Sequence, residues 1–327
     1  MSTSILREIA GPLAAMVLVG LLVAVTTNNF FDAGNLSNLV LQVSIVAVVA
    51  VGATIVILTG GIDLSQGSAI ALMTVLFATS VKAWALPFPL AVLFVLLLGV
   101  LLGAINGVLV AYLRIPAFIT TLATLSAYRG VAFMFNNGSP VFSVSPLLEP
   151  IFYGSALGVP LPLFYVAAVY AIAYWCLRHT PLGRAIYAVG GNPNAARLSG
   201  LDVRRTQLLA FVISGLAAAL GAILMTARLN SGSPNYGVGL ELSAIAAAVI
   251  GGASLSGGRG NVLNTVIGAM TIVIVQNGLN LNAVPTSAQN VITGAIILLA
   301  VGIDMWRSEV GRLAARMLPS RSSRSAP

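Results

Sequence analysis

The chain has 327 residues, 58% of them hydrophobic and only 7% charged. A soluble domain carries about 25% charged residues, so this chain has too little polar surface for a water-soluble globule, and most of its exterior must face lipid. The net charge of +8 does not point to nucleic acid, because the arginines fall in short loops and the tail, as in a membrane protein oriented by its positive charges.

A helix that crosses a bilayer needs roughly 20 apolar residues. Ten stretches fit or approach this: 9–27, 39–58, 66–86, 88–112, 117–135, 161–178, 207–227, 242–256, 262–282 and 287–306. The first imitates a signal peptide, but no small-residue cleavage site follows in Thr26-Thr27-Asn28-Asn29, so it reads as a retained span. The eighth is short and glycine-rich. The expected fold class is all-α: a polytopic membrane protein with about ten transmembrane helices, some broken or re-entrant. Residues 1–310 form its transmembrane domain.

An N-terminus in the cytoplasm puts thirteen of the sixteen basic residues on that side: Arg7, Arg114, Arg178, Arg184, Arg197, Arg204, Arg205, Arg259, Arg307, Arg312, Arg316, Arg321 and Arg324. Lys82, Arg129 and Arg228 fall outside. This asymmetry predicts that both termini are cytoplasmic, with the basic, serine-rich tail 311–327 disordered.

Asp63 is the first side chain that stands out. It lies in Thr59-Gly60-Gly61-Ile62-Asp63-Leu64-Ser65-Gln66-Gly67-Ser68, a break between two apolar runs. An ionisable group inside a membrane segment points to function. Two readings stand side by side. Asp63 caps or hinges the helix that begins near Leu64, or it contacts a solute directly. The same stretch has an echo at Gly251–Gly258, where five of eight positions agree with Gly60–Gly67. Either chance or a structural repeat with paired broken helices explains it.

Other polar groups interrupt the apolar runs. Asn106, Thr120, Thr121 and Thr124 come first, then Gln276, Asn277 and Asn280. Such groups either hydrogen-bond across helices or line a polar cavity. Carboxamides and hydroxyls both donate and accept, which suits a neutral polyhydroxylated solute. Asp63, Ser65, Asn106, Gln276, Asn277 and Asn280 are therefore the candidates for the pathway and its gate. Gly103 and Gly107 form a GxxxG that favours close helix packing. Two outer intervals exceed a tight turn. Residues 136–160 have room for a short surface or re-entrant helix. Residues 228–241 carry Arg228 and Glu241, read as exposed and as candidates for docking an external partner.

The longest polar interval, 178–207, lies on the cytoplasmic side. Within it, Asn192-Pro193-Asn194-Ala195-Ala196-Arg197-Leu198-Ser199-Gly200 has the marks of a complete short helix. Asn192 is a cap, Pro193 suits the first turn and Gly200 the exit. Its arginines, with Arg204 and Arg205, either mark topology or pair with acidic groups of a partner.

Several chemistries are missing. The only lysine, Lys82, follows Val81 and not the glycine of a phosphate-binding loop. One histidine and one cysteine cannot supply a metal site of the usual ligand count, so no metal is expected. Cys176 reads as a buried thiol. No nucleophile–base arrangement is evident, so the chain is not expected to be an enzyme.

In this order, the most specific stretches resemble the permease subunits of ABC importers, in the branch that carries ribose and related sugars. They are Gly61-Ile62-Asp63-Leu64-Ser65 with Gly67-Ser68, Asn106-Gly107, Ile115–Leu122, Gly183-Arg184, Gly190-Gly191-Asn192, Ala195–Gly200, Glu241-Leu242, Ala244–Ala247 and Gly257-Gly258-Arg259-Gly260. The resemblance covers residues 35–306. Gln66 stands where the family often has an apolar residue, and Ala123 where it often has glycine. The resemblance implies a bacterial inner-membrane protein that forms the pore as a pair, as a homodimer or with a similar partner. It also implies a separate cytoplasmic ATPase subunit that binds ATP, so this chain holds no cofactor, and a periplasmic sugar-binding protein. On the same basis Asn192, Pro193, Ala195, Ala196, Arg197 and Leu198 belong to the coupling helix that docks on the ATPase. The rival expectation is a secondary transporter or facilitator driven by an ion gradient, with Asp63 as the coupling carboxylate.

Overall fold

The computed structural model describes residues 3–317. The helices run in chain order as α1 (Thr3–Thr26), α2 (Ala33–Leu58), α3 (Gln66–Lys82), α4 (Phe88–Ala111), α5 (Ala117–Met134), α6 (Leu148–Phe152), α7 (Leu161–His179), α8 (Pro181–Gly191), α9 (Pro193–Leu198), α10 (Val203–Leu229), α11 (Leu240–Ile250), α12 (Val262–Leu281) and α13 (Thr286–Met317). Strands are two-residue pieces: β1 (Val141–Phe142), β2 (Ser155–Ala156), β3 (Val159–Pro160) and β4 (Ser231–Gly232). β1 pairs antiparallel with β4, and β2 with β3. The fold is an all-α polytopic membrane architecture.

All ten predicted stretches fall on helices. Seven of these helices, α1, α2, α4, α5, α7, α10 and α12, are long and apolar enough among the described residues to cross a membrane. α3 has 17 residues and α11 has 11. Both are short for one reason: a non-helical segment, 59–65 or 230–239, precedes each. The eighth stretch, expected over 242–256, is helical only to Ile250. Beyond it Gly252, Gly257 and Gly258 take φ of 91°, 82° and 71° and turn the chain. α13 continues to Met317, into the stretch read as tail; residues 318–327 lie outside the described residues.

α2 is the axis of the bundle. Every residue from Val43 to Leu58 is buried, as befits a helix that is apolar all round. α7, α8, α10, α11 and α12 pack around it. α4 lies along α10 through glycines four residues apart. Gly99 meets Gly215, Gly103 meets Phe211 and Gly107 meets Leu208, with no room for a Cβ at any of the three. The GxxxG expectation thus describes a backbone-to-backbone seam. Leu18, Leu97, Phe118 and Trp175 are exposed on the outer helices, an apolar exterior suited to lipid.

Of the outer intervals, 136–160 holds a short helix as expected, and 230–239 departs from expectation. Residues 136–160 hold the short α6, β1 and the β2–β3 hairpin. Residues 230–239, read as an exposed loop, descend along α3. Ser231–Pro234 are buried. Gly232 fits against the Thr74 carbonyl and Gly237 against that of Gly67. Thr74 Oγ1 both donates to the Ser233 carbonyl and accepts from its N–H, at 3.3 and 3.4 Å. Arg129 Nη1 on α5 donates to the carbonyls of Pro234 and Tyr236 at 2.6 and 2.7 Å. Arg228 and Glu241 are consequently half-buried rather than exposed. The Glu241 carboxylate lies against Gly67, where a Cβ has no space.

Candidate functional site

Asp63 is 3% exposed and sits at the centre of a polar network among α3, α4 and α10. Its Oδ1 accepts from the Ser65 N–H at 3.0 Å and the Ser65 hydroxyl at 2.7 Å. Its Oδ2 accepts from the Ser214 hydroxyl at 2.6 Å. Gln66 Nε2 donates to Ser214 Oγ at 2.9 Å and to the Val49 carbonyl at 3.2 Å. Asn106 Nδ2 donates to Ser65 Oγ at 2.8 Å. A buried charge is costly unless several donors satisfy it, and three donor groups do so here. Helix α3 starts at Gln66 after Ser65, so Asp63 closes the turn before the helix and is not its N-cap.

Two oxygens of this network are buried without a partner: Gln66 Oε1 and Asn106 Oδ1. A cavity of about 10 Å³ adjoins them, lined by Asp63, Ser65, Gln66, Asn106 and Tyr128 among others. That is about the space of one water, so this cavity has no room for a solute the size of a sugar.

Of the six pathway candidates, the fold brings together Asp63, Ser65 and Asn106. It engages the other three elsewhere. Asn277 and Asn35 exchange carboxamide hydrogen bonds at 2.7 and 3.1 Å, tying α12 to α2. Gln276 Nε2 donates to Ser243 Oγ of α11 at 3.2 Å. Asn280 Oδ1 accepts from Gln289 of α13 at 2.9 Å. Ser214 is not among the candidates, although a lone serine inside the apolar run Phe211–Leu216 is a signal of the same kind.

The second feature lies where α7, α8 and α10 meet. Asn192 Oδ1 accepts from the N–H groups of Asn194 and Ala195, both at 3.0 Å. Pro193 opens α9, and Gly200 leaves it with φ of 82°. The cap, the first-turn proline and the exit glycine of the short helix are all as expected. Ala196 alone is buried, against Val189, Leu201 and Val203; Pro193, Ala195 and Arg197 are exposed and Leu198 is 90% exposed. The helix before it, α8, is wedged into the body. Gly190 lies on the Leu58 carbonyl, and Gly257 and Gly258 close over Gly190 and Gly191. The Gly258 N–H donates to the Leu58 carbonyl at 3.0 Å, and Tyr187 donates its hydroxyl proton to the Gly260 carbonyl at 3.0 Å. The two echoing stretches, 60–67 and 251–258, thus meet at α8.

The sequence of this chain matches known proteins. The family model described as "Branched-chain amino acid transport system / permease component" matches residues 35–301. The chain belongs to this permease family. The ribose import permease protein of Escherichia coli K12 is 44% identical over 303 residues, covering 91% of this chain and 94% of that one. The ribose import permease protein of Haemophilus influenzae is 42% identical, covering 89% and 91%. The D-allose transport system permease protein of Escherichia coli K12 is 36% identical, covering 88% of each. No match was found among solved structures.

Proposed function

We propose that this chain is the pore-forming permease subunit of an ATP-driven, binding-protein-dependent importer of a monosaccharide, a ribose-like pentose or a related sugar or polyol. The observation that carries the reading is the similarity to ribose import permeases along nine-tenths of both chains. The geometry supports it independently. The end bearing α9 gathers Arg114, Arg178, Arg184, Arg197, Arg204, Arg205 and Arg259, and this charge asymmetry supports its being the cytoplasmic end of an inner-membrane protein with both termini inside. There α9 stands out as a capped, exposed helix in a chain without a nucleotide-binding loop.

The mechanism follows from the connections. A cytoplasmic ATPase subunit grips α9. Closure of the ATPase pair on ATP moves α9 and α8 together. Gly190 passes that movement to the Leu58 carbonyl, which leads into the Asp63 turn, and to the Gly257–Gly258 turn after α11. Alternating access then opens and closes the pathway between this chain and a second permease copy. A periplasmic sugar-binding protein delivers the solute at the outer end, where the half-buried Arg228 and Glu241 lie near the segment that would receive it. Asp63 with Ser65, Gln66, Asn106 and Ser214 offers the donors and acceptors that hydroxyl groups require.

The test is uptake of radiolabelled ribose by proteoliposomes holding the permease, its ATPase and its binding protein. Uptake should require internal ATP and survive a protonophore. Uptake without ATP that a protonophore abolishes would transfer the chain to the gradient-driven class, with Asp63 as the coupling group.

A further inference from the structure

A cavity of about 350 Å³ opens beside α9, and three arginines from three different elements line it: Arg114 from the α4–α5 turn, Arg197 from α9 and Arg204 from the start of α10. No carboxylate among the described residues lines it. None of the three guanidinium groups has a hydrogen-bond or ion-pair partner among the described residues. The remaining wall includes Thr59, Gly61 and Pro116, so the cavity reaches the turn that leads to Asp63. Pro116 precedes α5, and that helix start has no side-chain cap, leaving free N–H groups at the rim. The three guanidinium groups and the uncapped helix start favour an anion.

A second observation marks Arg114. It occupies the left-handed position after α4, with φ of 58°. The Ile115 N–H returns to the Leu109 carbonyl at 3.2 Å, the helix ending that normally takes glycine or asparagine. Arginine holds a backbone position that disfavours it, and its side chain lines this cavity.

We propose that the cavity receives an acidic side chain of the ATPase subunit, gripped jointly by Arg114, Arg197 and Arg204. The inference rests on the ATP-driven reading above. A protein carboxylate fits better than a lipid phosphate because α9 also displays Leu198, 90% exposed. An apolar anchor beside unpaired arginines is the make-up of a protein interface. A carboxylate held there touches α9, the α4–α5 turn and residues 59–61 at once. One ATPase side chain would then pull on the coupling helix, the start of α5 and the Asp63 turn together.

The chain itself supplies a clean background for the test. Lys82 is its only lysine and lies at the opposite end. Arg114→Lys, Arg197→Lys and Arg204→Lys are each made in the full complex with the co-expressed ATPase, with Arg184→Lys on α8 as the control outside the cavity. A water-soluble carbodiimide then joins amines to carboxylates in direct contact, and peptide mass spectrometry locates the bonds. The expected result is that all three cavity variants link to one acidic stretch of the ATPase, and that Arg184→Lys does not. Arg114→Glu should weaken ATPase binding at least tenfold at low salt, and less at high salt. If the complex assembles but Lys at 114 does not link, or links elsewhere than Lys at 197, the proposal is overturned and the ATP-driven reading stands. The proposal is likewise overturned if native mass spectrometry finds a phospholipid on the wild type that the triple Arg→Gln variant loses, with no link to the ATPase. Failure of the wild-type chain to co-purify with any ATPase would overturn the reading beneath it.

Discussion

The backbone of Gly190 rests directly on the carbonyl oxygen of Leu58, with no space for a Cβ between them. α8 and the end of α2 therefore move as neighbours in hard contact. Gly190→Ala should cost about 1–3 kcal/mol through overpacking, measured as a lower melting temperature in detergent. It should also reduce uptake more than it reduces ATP hydrolysis by the assembled complex. Equal losses of both activities would mean that the contact is structural only.

Leu198 and Ala195 stand out from α9, whereas Ala196 is buried. Leu198→Asp and Ala195→Glu should leave membrane insertion and melting temperature unchanged and lower uptake at least tenfold. Ala196→Glu should destabilise the 178–207 segment itself. Co-purification with the ATPase separates the two effects, since only the exposed variants lose the partner while keeping their fold.

Asn192 takes two N–H groups of α9. Asn192→Ala should destabilise this short helix by about 1 kcal/mol and Asn192→Ser much less. Hydrogen exchange at residues 194–198 reads the difference, because the change is local and the global melting temperature should stay put.

Ser214 holds Asp63 and Gln66 together across α3 and α10. Ser214→Ala leaves one carboxylate oxygen without its donor in a buried setting, at a cost of about 1–3 kcal/mol. Asp63→Asn keeps the shape and places an N–H₂ opposite one of the two hydroxyls, Ser65 or Ser214, that now donate to separate oxygens, so it should impair uptake more than it lowers the melting temperature. A full loss of folded protein in Asp63→Asn would assign Asp63 to stability alone.

Arg114 adopts φ of 58°, a conformation that costs a side chain about 1–2 kcal/mol. Arg114→Gly should therefore raise the melting temperature slightly while weakening assembly with the ATPase. Gain of stability with loss of assembly is an uncommon pairing, and no purely structural role produces it.

Much of this molecule is legible in its residues. The apolar runs place all ten helical segments, and Asn192, Pro193 and Gly200 mark α9 through local chemistry alone. The Asp63 turn stands out because a carboxylate is rare among so many apolar neighbours. Residues 230–239 mislead for a physical reason: Arg228-Leu229-Asn230-Ser231-Gly232-Ser233-Pro234 reads as a wet loop. Its polarity is instead met inside the protein, by Thr74 and Arg129, and its glycines let the backbone lie on α3. Gln276, Asn277 and Asn280 show a polar face, but spacing along one helix cannot say which neighbour meets that face. The partners Asn35, Ser243 and Gln289 come from three other helices.

Arg129 clamps the carbonyls of Pro234 and Tyr236 from the flank of α5. Peeling the segment away would cost two hydrogen bonds to one charged group at once. The guanidinium thus works as a rivet. It fastens α5 to the segment 230–239 side by side, so an outward opening that moves one is expected to carry the other.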